Sequence, residues 1–229
     1  MPAPVSIIIP TLNSADCLPA TLSALSEGVH AGLIRELILV DGGSTDQTCA
    51  LAEAVGAEVI ASAAGRGQQL ALGADQARGD WLMFLHADSV LEADWSAQVR
   101  LHLGDYPQKA GYFRLAFDTA GFPARWTAAW ANLRARLFGL PYGDQGLLIA
   151  REHYRTVGGF DAIPLMEDVA MARKLHRQMR PVRACITTSA ARYRARGWLR
   201  QGAGNLLTLL RYFLGSPPET LARSYRRRR

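Results

Sequence analysis

Four carboxylates and one arginine stand where they could do chemistry together. Asp41 closes the expected strand Ile34–Val40, and Asp88 follows Trp81–Leu85 after only His86 and Ala87. Glu167 and Asp168 are adjacent further on, at an expected helix start. An acid thrust out of the end of a buried strand suits Mg²⁺ or Mn²⁺ held against a phosphate. These ions take oxygen ligands and complete their shell with substrate phosphates. A further carboxylate can serve as a general base. Arg66 lies between Gly65 and Gly67, where a guanidinium fork and bare backbone amides can approach an anion. The pattern fits a metal-held diphosphate leaving group plus a base. Each feature also has a plainer explanation: a turn acid in Asp41-Gly42-Gly43, a capped turn at Asp88, and first-turn acids complementing a helix dipole at Glu167-Asp168.

Positioning such groups requires strands that end together. Val5–Pro10 is a β-branched run stopped by proline, and Ile34–Val40 is a second buried strand. Ser44, Thr45 and Asp46 offer N-cap oxygens for a helix through about Val55. Glu58–Ala61 is a short third strand, helix-compatible sequence spans Gln68–Ala77, and Trp81–Leu85 is a fourth strand. This alternation predicts a parallel, doubly wound α/β sheet, in which ligands bind beyond the carboxyl ends of the strands. Beyond Asp88 the rhythm changes. Helices are expected over Ala93–Leu103, Arg151–Val157 and Glu167–Met179, and Phe122–Phe138 reads as helical or partly irregular. An antiparallel or edge strand is expected over Ala110–Phe117, and strands over Gly146–Ala150 and Val182–Thr188.

The bulk properties narrow the partners. A chain of 229 residues that is 49% hydrophobic and 20% charged reads as a soluble globular protein. Its net charge of +6 comes almost wholly from arginine, since only Lys109 and Lys174 are lysine. Arginine favours phosphate, but its scatter along the chain argues against a nucleic-acid stripe. Cys17, Cys49 and Cys185 are odd in number and far apart, so neither a disulfide framework nor metal spacing follows, and a reducing cytoplasm is expected. No signal peptide or apolar run of spanning length is seen. The dinucleotide fingerprint and the P-loop are both missing from the sequence.

Five motifs carry a resemblance: I-I-I-P-T-L-N, L-V-D-G-G-S-T-D, G-D-W-L-M-F-L-H-A-D, V-G-G-F-D and M-E-D. In order and spacing the chain resembles the family 2 inverting glycosyltransferases of the GT-A fold over roughly residues 5–180. Gly65-Arg66 with Gln69, His86-Ala87-Asp88, Gly143-Asp144-Gln145-Gly146 and Ser189–Arg192 resemble a short bacterial subgroup of selenodomain-associated transferases. The resemblance implies a nucleotide-sugar donor, a UDP-sugar by family habit. Pro10, Thr11 and Asn13 would edge the base and ribose pocket, and Asp41 would accept from the nucleobase. Arg66 would meet the diphosphate, with Gln69 standing near a position where the family carries asparagine. His86-Ala87-Asp88 replaces an Asp-x-Asp motif, keeping the metal ligand Asp88 and putting histidine first. Asp168 would be the base, supported by Glu167, and Gly143, Asp144, Gln145 and Gly146 would wall the acceptor side. Arg192 would keep the charge of a loop that closes over the diphosphate. Two alternatives stay open, a nucleotide-sugar-binding protein without catalysis and a sugar-phosphate nucleotidyltransferase. The second lacks its glycine-rich loop after the first strand.

The last segment reads as a helical extension, so the division is a transferase domain over residues 1–195 and a basic extension over residues 196–229. Leu206, Leu207, Leu210, Phe213 and Leu214 share one helix face, and Ser216-Pro217-Pro218-Glu219 opens a further helix. With Arg223 and Arg226–Arg229 behind it, that face suggests peripheral contact with the inner face of a membrane and a lipid-linked acceptor within reach. Simple packing on the transferase domain explains the face equally well.

Overall fold

The computed structural model describes residues 3–226. Its first half follows the alternating pattern: β1 (Val5–Thr11), α1 (Leu18–His30), β2 (Ile34–Asp41), α2 (Thr48–Ala54), β3 (Glu58–Ala61), α3 (Arg66–Gln76) and β4 (Trp81–Phe84). The second half adds β5 (Val90–Leu91), α4 (Trp95–Asp105), β6 (Ala110–Phe117), α5 (Phe122–Phe138), a 3-10 turn at Gly143–Gln145, β7 (Leu147–Ala150) and α6 (Arg151–Thr156). It closes with α7 (Glu167–Leu175), β8 (Met179–Thr188), α8 (Ala191–Arg196), α9 (Trp198–Phe213) and α10 (Pro218–Arg226).

One eight-stranded sheet organises everything, in the order β3-β2-β1-β4-β7-β6-β8-β5. β3, β2, β1 and β4 are mutually parallel, as the alternation requires. Past β4 the sheet is mixed: β7 runs antiparallel to β4 and β6, while β8 is parallel to β6. Strand alternation sorts the apolar side chains into two cores. Ile7, Ile9, Met83 and Leu85 join Leu25 of α1 and Trp95 of α4 on one face. Ile8, Leu82 and Phe84 join Leu70 and Ala74 of α3 and Met171 of α7 on the other. Ile7, Ile8 and Ile9 are fully buried, each contributing about 2 kcal/mol relative to exposure. β1 is therefore the spine.

Several expectations need correction. Of the two readings of Ala110–Phe117, antiparallel holds, since β6 pairs antiparallel with β7, but β6 is not an edge strand: it lies between β7 and β8, with Phe113 fully buried. The two-residue β5 carried no sequence signal, because pairing with β8 alone makes it a strand. Ser44 and Thr45 do not cap α2, which starts at Thr48; of the three expected cap residues only Asp46 serves there, its Oδ1 accepting from Thr48 N–H at 3.0 Å. The same segment clasps the turn after β1: Ser44 Oγ accepts from Asn13 N–H at 2.8 Å, and Asp46 Oδ2 accepts from Ala15 N–H at 3.1 Å. α7 ends at Leu175 rather than Met179, because Met179 already pairs with Ala110 in the sheet. Ser189–Arg192 is not an extended loop; from Ala191 the chain is helical.

The C-terminal helices pack on the rest of the chain. Thr208 and Leu209 of α9 and Leu221 and Ala222 of α10 are buried. Of the basic run, Arg223 is exposed on α10, while Arg227–Arg229 and the Arg226 side chain lie outside the described residues.

Candidate active site

The carboxyl end of β4 meets the first turn of α3, the 3-10 turn and the N-terminus of α7 in one cleft. Arg66, His86, Tyr142, Gly143, Glu167 and Asp168 line it. Proximity of these residues rests on glycines. A Cβ at position 143 would sit 2.6 Å from His86 Nε2 and 3.5 Å from Asp168 Oδ2, so only glycine lets the imidazole and carboxylate come together there. At position 67 a Cβ would strike the Asp161 carbonyl oxygen at the opening of α3.

Asp168 stands at the mouth. Its Oδ2 accepts from Gly143 N–H at 2.8 Å and its Oδ1 from Val169 N–H at 2.7 Å. Two bonds occupy about half of the four acceptor positions of a carboxylate, which leaves room for a hydroxyl. Met166, just before this helix, sits in the left-handed region at φ 69°, an uncommon conformation outside glycine. That turn lets Glu167 be buried while Asp168 stays half exposed. Glu167 Oε1 meets Arg66 Nη1 at 3.3 Å, with the arginine side chain 37% exposed and the glutamate 2%. Burial, then the neighbouring Asp168 charge, pushes the Glu167 carboxyl up, against the pull of Arg66. Burial disfavours the charge of Arg66, but Glu167 and then Asp168, Tyr225 and Asp88 keep it firmly protonated.

His86 is half-buried behind this group. Burial, then the positive charges of Arg66 and Arg192, pushes its pKa well below the usual histidine value. Its imidazole is therefore neutral at physiological pH, with one nitrogen to donate and one to accept. Asp88 lies half-buried nearby and accepts one long hydrogen bond, from Thr188 Oγ1 at 3.3 Å. The β5–β8 pairing, which sets Val90 against Thr187, holds that contact. Among the described residues no three His, Cys, Asp or Glu side chains gather as a metal-binding group. A carboxylate with open lone pairs still fits a divalent ion that draws most of its ligands from a diphosphate and water.

Asp144 is the unsatisfied member of the group. Its Oδ1 is buried without a hydrogen-bond partner, and so is Arg134 Nη2. Burial pushes its carboxyl up to about 6; Asp168 and Asp88 add to this and Arg134 opposes it. Arg134 reaches in from α5, its guanidinium 3.4 Å above the Tyr142 ring and its Nε donating to the Leu140 carbonyl. Nothing in the motif set pointed to Arg134, Tyr142 or Thr188. An arginine on the buried side of an apolar helix was the available signal for the first.

Other expected site residues turn inward. The Asp41 carboxylate accepts from Thr11 Oγ1, Gly43 N–H, Ser44 N–H and Ser44 Oγ. Burial alone would raise its pKa, but these bonds, led by Ser44, hold it below the ordinary value. The Gln69 amide donates to the Thr11 and Val40 carbonyls at 2.9 and 2.7 Å, stapling β1 to β2. Asn13 Oδ1 accepts from Thr45 N–H, and Pro10 is half-buried at the end of β1. Gln145 is fully buried and donates to the Phe113 carbonyl; Gly146 turns the chain at φ 62° against Phe113 and Leu85. Of the expected acceptor wall, Gly143 lines the cleft with Gly146 behind it, and Asp144 adds its charge. Arg192 is exposed on α8, and Tyr193 stacks on Trp198 at 4.8 Å.

The glycosyl transferase family 2 profile matches residues 6–150, most of the chain but ending short of Glu167 and Asp168. A PGL/p-HBAD biosynthesis glycosyltransferase of Mycobacterium bovis is 36% identical over 171 residues, covering 70% of this chain. This chain spans 65% of the length of that curated relative. A glucosyl-3-phosphoglycerate synthase of Mycolicibacterium paratuberculosis is 32% identical over 95 residues, covering 38% of this chain and 29% of that protein. Among solved structures, S. aureus TarS 1-349 in complex with UDP-GlcNAc superposes with a TM-score of 0.64 at 15% identity, covering 81% of this chain and 58% of that one. The mannosyltransferase PcManGT from Pyrobaculum calidifontis, in complex with GDP-Man and Mn²⁺, gives 0.59 at 18% identity, covering 80% and 56%. The shared architecture is the GT-A fold.

Proposed function

Because the chain belongs to glycosyl transferase family 2, we propose that it moves a sugar from a nucleoside-diphosphate sugar, a UDP-sugar preferred, to an acceptor hydroxyl with inversion. The observation that carries this reading is Asp168, a half-exposed carboxylate with spare acceptor capacity, fixed by Gly143 beside the neutral His86. Asp168 takes the acceptor proton as the hydroxyl oxygen bonds to the anomeric carbon. The old carbon–oxygen bond breaks on the opposite face, and its electron pair leaves on the diphosphate. Arg66 and Arg192 face the charge that develops there, and charge-assisted hydrogen bonds are the stronger kind. The buried Glu167 holds Arg66 in place. His86 offers a neutral donor and acceptor pair to the ribose or diphosphate. Asp88 is the residue that would hold Mn²⁺ or Mg²⁺, which when bound would offset phosphate charge. Asp41 and Gln69 act on the donor through the turns they hold together.

A nucleotide-binding protein without turnover is the second reading, favoured by the histidine in place of the first motif acid. Sugar release from UDP-sugars with Mn²⁺ separates the two. The transferase reading expects slow hydrolysis that Asp168→Asn abolishes while UDP affinity persists. Nucleotide affinity with no hydrolysis or transfer by the unaltered protein, across a panel of UDP- and GDP-sugars, would leave a binding protein.

A further inference from the structure

Two helices in this protein are inside out. α5 buries Ala124, Ala131 and Ala135 and exposes Trp126, Trp130, Leu133 and Leu137. These exposed positions recur at helical spacing, so they form one stripe. α9 resembles it: Gln201, Thr208 and only one leucine, Leu209, are buried, while Leu206, Leu207 and Leu210 are exposed. The two helices are neighbours in the fold. Of the seventeen exposed large hydrophobic residues among those described, six belong to the stretch Phe122–Phe138 and six to Leu199–Leu214. A surface that concentrates its apolar side chains in this way marks an interaction site.

The charge around the stripes selects the partner. Residues 119–143 contain three arginines and residues 190–218 contain five, and neither stretch contains an aspartate or glutamate. Arg125, Arg136 and Arg200 are exposed, and among the described residues none of them forms an ion pair. A protein partner's apolar face would not require a border free of acid on both helices. An anionic bilayer would, since tryptophan and leucine enter the interface while arginine meets lipid phosphate. No described helix is long and apolar enough to cross a membrane, so the contact lies in the surface plane.

We propose that the exposed stripes of α5 and α9 together dock this protein on an anionic lipid bilayer. The contact is distinct from attachment by the terminal arginine run, and it does not depend on the transferase reading. Arg134, on the inward side of the same α5, reaches Tyr142 at the cleft, so the docking helix also contacts the site.

Co-sedimentation with vesicles of phosphatidylcholine alone, or with added phosphatidylglycerol, tests this at low and high salt. Binding should require phosphatidylglycerol and weaken as salt rises. The double variants Trp126→Gln/Trp130→Gln and Leu206→Gln/Leu210→Gln should each lower affinity by about tenfold or more. Their melting temperatures and UDP affinities should stay unchanged, since the altered side chains are exposed and lie outside the cleft. Brominated lipid should quench the fluorescence of the unaltered protein more than that of the tryptophan variant. Three results would overturn the proposal. One is no binding to phosphatidylglycerol vesicles at low salt. Another is unchanged binding by both variants, including the case in which deleting residues 223–229 abolishes it. The third is a dimer in light scattering that both variants split, which would mean a second copy covers these faces.

Discussion

Two regions of the molecule carry carboxylates of the same type in opposite conditions. On the β1–β2 side, Asp41 has four donors for its two oxygens and holds its own loop together. Around the cleft, Asp168 accepts two bonds and Asp88 one, while Asp144 has a buried oxygen with no partner. A saturated carboxylate is a structural part, whereas an unsaturated one keeps free energy available for a ligand. Carboxylates at element ends thus divide into scaffold and chemistry according to how many donors each oxygen has already met.

The sharpest way to break this contrast is at Asp168. Asp168→Asn should lower transfer by roughly 10²–10⁴-fold and leave donor affinity near normal, measured by single-turnover kinetics and calorimetric UDP titration. Near-normal turnover in that variant, with loss in Glu167→Gln, would move the base to the other acid.

Asp41→Ala should act on stability instead. Stranding the Thr11 and Ser44 donors should cost about 3 kcal/mol in denaturant unfolding. The sign with pH follows from its depressed pKa. Its stabilising contribution is present above the ordinary aspartate value and fades as pH falls through the lower folded value. A variant as stable as the parent would mean that Asp41 is held for the donor after all.

Asp144→Asn should do the opposite. With the folded pKa raised from 3.8 to about 6, the native state binds the extra proton, so ionising Asp144 opposes folding as pH rises through that window. The amide should therefore raise stability at pH 8 by on the order of 2 kcal/mol, with little gain at pH 4. Thermal melts at the two pH values measure this directly, and an equal shift at both would remove ionisation as the cause. Transfer should fall in the same variant if the free oxygen meets the acceptor.

The smallest effect belongs to Asp88. Asp88→Asn should weaken Mn²⁺-enhanced UDP binding roughly tenfold while metal-free affinity holds. Equal Mn²⁺ enhancement in parent and variant would take Asp88 out of the site.

Periodicity and turn residues were enough to place β1, β2 and β4 and to put Asp41, Asp88 and Asp168 at element ends, whereas Phe122–Phe138 was legible only as helical or partly irregular. Local propensity acts over a few residues, and these segments agree with it. A run such as Val5–Pro10 is apolar and β-branched whatever surrounds it. Motif order likewise identified the family from the chain alone. What tertiary structure decided was every property that depends on a partner distant in sequence. Val90–Leu91 is a strand only because β8 lies beside it. Ser44 serves Asp41 and Asn13 rather than a helix because β1 and β2 end together. His86 is neutral because the fold buries it and then sets it near the charges of Arg66 and Arg192. The leucine stripe of α9 was legible as a face. Its exposure was not, since amphipathic spacing specifies which residues share a side and leaves open whether that side meets a core or a solvent.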